Sequence, residues 1–229
     1  MAKQVQFRRG TTAEHATFTG AAGELTVDTD KKVPVVHDGS TAGGIPAAKA
    51  SDITAVDPRG RHTIPLPAGA FKARASSGAA AVTYDSGSND TTLQGHGFDD
   101  TTLEIIHSAL IPMPKSWNEG TVTAEILWTN ASGSSTQTVR WGIQMHAVGD
   151  GDSLNISFGA VTNIDDTWIA QNSLHRTAES SAITIGGTPA EMDAVIIAIS
   201  RDPTNDNMTG DAIFLGMRLF VTLNAATDA

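Results

Sequence analysis

Residues 4–49 constrain this chain most, because they hold short apolar runs between turn residues and too little apolar bulk for a core. Val5 and Phe7 alternate with Gln4, Gln6 and Arg8, the period of a half-buried strand, and Gly10-Thr11-Thr12 ends it. Leu25 and Val27 alternate with Glu24, Thr26 and Asp28 as a second strand. Val33-Pro34-Val35-Val36 is a third, closed by Asp38-Gly39, a pair suited to a turn with positive φ. Pro34 brings no N–H to a ladder, so this strand is expected at a sheet edge or to begin at the proline. Strands this short and this poor in large apolar residues cannot fold alone and need partners. Gly10, Gly20, Gly23, Gly39, Gly43 and Gly44 suit close chain approach or positive φ. Arg8 and Arg9 facing Glu24, Asp28 and Asp38 read as inter-chain pairs or as solvated charges, and exposed pairs contribute only about 0–1 kcal/mol.

Beyond this stretch, residues 47–60 lose alternation and contain Asp57-Pro58 and Arg59-Gly60, which marks a linker with a boundary within 50–62. From Thr63 the chain reads as all-β. Ala80, Val82 and Tyr84 alternate, and 103–111 reads as one long strand. Val122, Ala124, Ile126 and Trp128 share a face, as do Val139, Trp141, Ile143 and Met145, with a flexible hairpin over 130–135 between them. Leu154, Ile156 and Phe158 predict a further strand, and 182–185 and 194–199 are strongly apolar. In the last strand Ile213, Leu215, Met217, Leu219, Val221 and Leu223 are expected on one face, and Phe214, Gly216, Arg218, Phe220 and Thr222 on the other. Such strands joined by Gly/Asn/Asp/Ser turns predict a jelly-roll-like β-sandwich lined by Trp128, Trp141, Phe158, Leu215 and Leu219. Helical candidates are confined to 11–16, part of 166–171 and a turn near 189–192. No repeat, heptad or collagen-like triplet appears, so no shaft is expected.

Charge divides the chain unevenly. Residues 1–60 carry as many Lys/Arg as Asp/Glu, so the whole net charge of −10 lies in the remainder. An acidic body argues against nucleic-acid binding and favours a soluble exposed surface. No apolar run is long enough to insert in a membrane, no apolar leader precedes the first strand, and the absence of cysteine excludes disulfides and thiolate metal sites.

Catalytic patterns are not expected. Gly-x-Ser-x-Gly and phosphate-loop spacings are missing. The doublets Asp99-Asp100 and Asp165-Asp166 offer paired carboxylates for glycoside hydrolysis, but adjacent strand residues face opposite ways, so turn or structural roles are favoured. The seven histidines show no metal spacing, although His96 and His107 are candidates to meet across strands. The oxygen-rich loops 149–152 and 202–207 lack calcium-loop spacing and read as turns. No cofactor and no metal is expected. Trp117 and Trp168 fall outside clean alternation and are the candidate glycan platforms, with capping of the sandwich core as the competing role.

The run Gln6-Phe7-Arg8-Arg9-Gly10-Thr11-Thr12-Ala13-Glu14, then Gly23-Glu24-Leu25 with Val27-Asp28-Thr29-Asp30, then His37-Asp38-Gly39-Ser40-Thr41 with Gly43-Gly44-Ile45-Pro46, resembles an N-terminal module of tailed-bacteriophage fibre, spike and receptor-binding proteins of the major tropism determinant type. The resemblance implies an intertwined trimeric β-prism that seats the protein on a virion. Its module residues here are Arg8, Arg9, Gly10, Thr11, Gly23, Glu24, Asp28, His37, Asp38, Gly39, Gly43 and Gly44. More loosely, 113–123, 178–180 and 185–191 resemble C-terminal sandwich domains of phage surface proteins.

The combined expectation is an anchoring module over 1–50, a linker over 51–62 and a jelly-roll-like body over 63–229. The chain reads as a non-enzymatic homotrimer, assembled in the host bacterial cytoplasm and mounted on the particle surface. It contacts other virion proteins of the capsid, tail or baseplate, without nucleic acid or membrane insertion. The missing shaft leans towards a short head fibre or a cement-like capsid decoration. The alternative is a tail-fibre or receptor-binding adhesin for host surface glycan, and a polysaccharide-degrading spike stands third.

Overall fold

A computed structural model describes residues 6–49, 60–85 and 91–225. The chain divides into two compact units, Met1–Pro58 and Arg59–Ala229. Gln4, Val5 and the expected linker up to residue 59 lie outside the described residues.

The N-terminal unit is a four-stranded sheet in chain order: β1 (Arg8–Gly10), β2 (Leu25–Asp28), β3 (Val33–Val36) and β4 (Ile45–Pro46). β1 and β2 run parallel, which requires a crossover. The short helix α1 (Thr12–His15) supplies it, as expected from 11–16. A reciprocal capping box starts this helix: the Glu14 amide donates to Thr11 Oγ1, and the Thr11 amide donates to Glu14 Oε2 at 2.7 Å.

Three expectations are corrected here. The first strand includes Gly10 and begins at Arg8, leaving Phe7 exposed. β3 starts at Val33 and lies between β2 and β4, so Pro34 is neither at an edge nor at a strand start. The proline is tolerated because it sits just past the end of two-residue β4, where its carbonyl accepts from the Ala47 amide at 2.8 Å. Third, the inward face of β2 is polar. Thr26 and Asp28 are buried opposite Val35 and Val33, while Leu25 faces out beside Val36.

The body is a β-sandwich. One sheet has the order β13 (Thr162–Thr167), β12 (Thr138–Val148), β16 (Ala194–Arg201), β9 (Glu104–Ser108), β6 (Phe71–Ala73), with β10 (Ile111–Pro112) on β16 and β15 (Ile185–Gly186) on β12. The other runs β14 (His175–Arg176), β11 (Thr123–Thr129), β17 (Ala212–Thr222), β8 (Thr92–Phe98), β7 (Ala80–Asp85), with β5 (Arg61–Pro67) on β17. The consecutive pairs β8–β9, β11–β12 and β16–β17 each place one strand in either sheet, so ribbons wrap across the core as in a jelly roll.

The expected faces of β11 and β12 are both buried, and they meet: the Trp128 and Trp141 rings lie 6.3 Å apart, and Phe98 abuts Trp141 at 5.2 Å. Segment 130–135 is therefore an arch between sheets and not a hairpin. Two apolar faces on successive strands bury each other only by facing across the sandwich. The long strand over 103–111 is broken, because residues 109 and 110 separate β9 from β10 and Leu110 faces solvent. Residues 154–158 form no strand: Leu154 is exposed and Phe158 lies against the His107 ring at 5.3 Å. Residues 168–171 form no helix, and β13 claims Asp166 and Thr167.

β17 switches face midway. Leu127 pairs with Gly216 and Trp128 with Phe214, so Leu215 is the extra residue of a bulge. Gly216 adopts φ +147, and a Cβ there would lie 2.7 Å from the Leu66 carbonyl oxygen. Phe214 consequently points into the core and Leu215 away from it, while Met217, Leu219 and Val221 follow the expected alternation. β5 begins at Arg61, inside the expected linker, because Arg61 pairs with Thr222.

Candidate functional site

In the N-terminal unit, the module residues are held by local hydrogen bonds. Asp28 accepts from Thr12 Oγ1 at 2.7 Å and from the Asp30 and Lys31 amides at 3.0 Å; the Lys31 bond is the largest influence keeping its carboxyl below the usual range. Asp38 closes its turn by accepting from Thr41 Oγ1 and from the Thr41 and Ser40 amides, which holds it far below the ordinary carboxylate range. Within one chain, and among the described residues, neither aspartate pairs with an arginine. Arg8 instead reaches Glu24 at 3.2 Å and lies 4.8 Å over the Phe18 ring. Arg8, Arg9 and Gly10 join Glu14, His15, Phe18 and Thr26 around a cleft of about 240 Å³.

His37 is fully enclosed. A Cβ on Gly20 would approach its ring to 2.6 Å, and one on Gly44 to 2.8 Å, so glycine at both positions makes room for the imidazole. The surface carries the converse: Phe7, Leu25, Val36 and Ile45 are 53, 44, 46 and 58% exposed. Apolar side chains on the outward side of a sheet whose inner side is partly polar form a surface suited to burial against another chain.

In the body, the geometry selects one end. The chain enters at Gly60, whose carbonyl accepts from the Leu223 amide at 2.8 Å, beside the last residue of β17. Eleven-residue β17 carries the fold about 36 Å to its other end. There loops 99–103, 130–137, 168–174 and 202–211 converge. Asn130 Nδ2 donates to the Asp211 carbonyl at 2.8 Å and to Thr209 at 3.2 Å, and its Oδ1 accepts from the Ser132 and Gly133 amides. Asp100 accepts from the Gly210 amide at 2.7 Å. The Trp168 and Asn172 amides donate to Gln137 and Asn130 carbonyls.

Beneath these loops lies a fully buried arginine that no hydropathy period marks. Arg201 donates through Nε and Nη2 to Asp206, through Nη1 to the Phe98 and Gly210 carbonyls, and through Nη2 to Met208. The 202–207 segment therefore supplies the carboxylate of a buried ion pair. A signal existed in the five-residue spacing of Arg201 and Asp206 around a turn, but alternation cannot show burial of a charge. Among the described residues no group of three or more His, Cys, Asp or Glu is placed to hold a metal.

The remaining candidates separate. Trp117 is only 2% exposed and bridges Leu223, so it is core and no platform. Trp168 is half-buried at the loop end, packed against the core, with its indole N–H enclosed and unpartnered among the described residues. Nearby, Trp128 Nε1 donates to Asp166 at 2.7 Å, and His175 stacks on Trp128 at 4.2 Å while accepting from the Ile169 amide. Burial raises the Asp166 carboxyl and lowers the His175 imidazole. Asp165 faces the other way and pairs with Arg140 at 2.7 Å, so this doublet is split as expected. Asp99 accepts from Thr101 and Thr102 in a turn. His96 and His107 belong to different sheets and do not meet; His96 bonds the Phe71 carbonyl.

Comparison with known proteins bears on the opening residues. Residues 5–41 match the family described as the Major tropism determinant N-terminal domain. A "Tail fiber receptor-binding protein" of Bordetella phage BPP-1 is 71% identical over 49 residues, covering 21% of this chain and 13% of that protein. The solved Major Tropism Determinant I1 Variant aligns at 38% identity over 53% of this chain and 29% of its own, with a TM-score of 0.21. A family 11 carbohydrate-binding module from Clostridium thermocellum covers 74% of this chain and 98% of its own at 10% identity and a TM-score of 0.39. The lean towards head attachment finds no support here, and the matching phage relative, a tail-fibre protein, stands closer to the receptor-binding alternative. Over its opening residues this chain is similar to the N-terminal domain of the Major tropism determinant, as the residue pattern indicated.

Proposed function

We propose that the chain is a non-enzymatic phage receptor-binding protein, whose N-terminal unit seats it as a homotrimer on the tail and whose sandwich presents loops 99–103, 130–137, 168–174 and 202–211 to the host surface. The observation that carries this reading is the 71% identity of the opening segment to a tail fiber receptor-binding protein. The outward apolar face of Phe7, Leu25, Val36 and Ile45 supports trimer formation, since three copies cover it from solvent. The loop end supports the display role. It is the end remote from where the chain enters the body, it is cross-braced, and it carries exposed Ile169 and Leu174 among Ser, Thr, Asn and Gln side chains.

These four loops contain no Lys or Arg and several Asp residues, so they repel anionic polymers and suit an uncharged host glycan. The test is adsorption. Purified full-length protein should occupy host cells and block phage attachment, and an array should show neutral glycans bound over sialylated or phosphorylated ones. Ile169→Asp with Leu174→Asp should lower cell binding at least tenfold at unchanged melting temperature. Unaltered binding by that variant refutes the loop-end assignment, and a monomer in light scattering refutes the trimer.

A further inference from the structure

His15 and His37 form a single hydrogen-bonded chain through Thr26, and its two ends dictate where every proton sits. The Gly20 amide donates to His37 Nδ1 at 3.3 Å, His37 Nε2 meets Thr26 Oγ1 at 2.9 Å, Thr26 Oγ1 meets His15 Nε2 at 2.8 Å, and His15 Nδ1 meets the Thr11 carbonyl at 3.0 Å. An amide N–H can only donate and a carbonyl can only accept. His37 Nδ1 therefore carries no proton and its Nε2–H donates to the Thr26 hydroxyl. That hydroxyl passes its own hydrogen to His15 Nε2, and His15 Nδ1–H donates to Thr11. One arrangement satisfies all groups, with both imidazoles neutral and in opposite tautomers. All three side chains are buried, and the rings lie nearly parallel at 6.2 Å.

An added proton is excluded at one end of this chain. On His37 Nδ1 it faces the Gly20 N–H, donor against donor; on His15 Nε2 it is accepted by the second lone pair of the Thr26 hydroxyl, whose own hydrogen then turns away. The surrounding charges are committed elsewhere. Asp28 is bonded to Thr12, Asp30 and Lys31, Asp38 to Ser40 and Thr41, and Glu24 to Arg8 and the Ala21 amide. Asp30 accepts from the Thr12 amide, while Arg9 lines the cleft beside His15. β3 and β4 bring no charged side chain. Glu14 is the one carboxylate whose field reaches His15, and it is held first by the Thr11 amide.

We propose that this relay is an acid-sensitive latch, joining α1, β2 and the turns at Gly20 and His37 while both imidazoles are neutral and opening the N-terminal unit when His37 takes a proton. Opening is therefore expected to grow as the pH falls from 8 to 5, by mass action of the added proton. The test uses the full chain with ¹⁵N-labelled histidine, together with amide hydrogen exchange from pH 8 to pH 5 corrected for intrinsic rates. Expected are His15 as the Nδ1–H and His37 as the Nε2–H tautomer at pH 8, with protection over 11–44 falling at least tenfold by pH 5. Thr26→Ser keeps the bridging hydroxyl and should keep the full pH slope; Thr26→Val removes it and should flatten the slope. The opposite tautomers, a charged ring at pH 8, or protection that survives titration of both rings overturns the latch.

Discussion

Inside the N-terminal unit the enclosed side chains are His15, Thr26, Asp28 and His37 with Val33 and Val35, and the larger apolar groups look outward. Inside the body the enclosed set is Trp128, Trp141, Phe98, Phe214 and a layer of isoleucines, with Arg201 as its buried ion. The two units thus obtain order differently. The body buries large side chains, each contributing about 1.5–3 kcal/mol, and tolerates loops of any composition. The N-terminal unit has little area to bury and relies on directional bonds, which stabilise modestly when made and cost more when half-made. A unit built this way is sensitive to single atoms.

The largest way to break this contrast is in the body. Asp206→Asn leaves the Arg201 guanidinium buried without its counter-charge and should cost about 3–5 kcal/mol in denaturant unfolding of the body, with the N-terminal unit unchanged. Next, Thr26→Val should cost about 1–3 kcal/mol for each imidazole nitrogen left unsatisfied, read as faster exchange over 11–44 and an unaltered body transition. Gly44→Ala sets a methyl against His37 at a residue with φ +64, and should cost about 1–3 kcal/mol in the same readout. Val36→Ser with Ile45→Ser sharpens the contrast from outside: little change within one copy is expected, but light scattering should show loss of the proposed trimer.

Acid distinguishes the units further. His175 is held below its ordinary value by burial, so the unfolded body takes up that proton first and stability falls as pH drops below about 6.5. Asp166 is raised by burial, so the folded body protonates first there, and stability is regained as pH falls through its raised value towards about 3.9. Urea midpoints of His175→Gln should show the first slope removed and the second retained. Smallest of all, Arg140→Gln breaks an ion pair that is partly exposed on both sides and should change stability by no more than about 1 kcal/mol.

Much of this architecture was readable before any coordinates. Alternation placed Val122 to Trp128 and Val139 to Met145 inward because strand geometry gives every second residue the same face. It failed where the period itself is interrupted. In β17 one extra residue at the Gly216 bulge exchanges the faces of Phe214 and Leu215, and a glycine in a strand is only a weak hint of that. It failed again in β2, where apolar Leu25 points out and polar Thr26 points in, since a hydrogen-bond chain with His15 and His37 repays burial that no hydropathy pattern can report. Trp117 and Trp168 looked alike in sequence, yet only Trp168 lies at the loop end.

By itself the sequence determined the class of each unit: short glycine-punctuated strands with little apolar bulk, then long alternating strands rich enough to close a sandwich. Those outcomes follow from local period and apolar bulk, which are properties of the chain. Tertiary structure alone decided which strands share a sheet, which loops converge far from Gly60, and which polar groups find partners inside. Such choices depend on residues such as Arg201 and Phe98, or Gly20 and His37, meeting across long separations, and no local pattern encodes them.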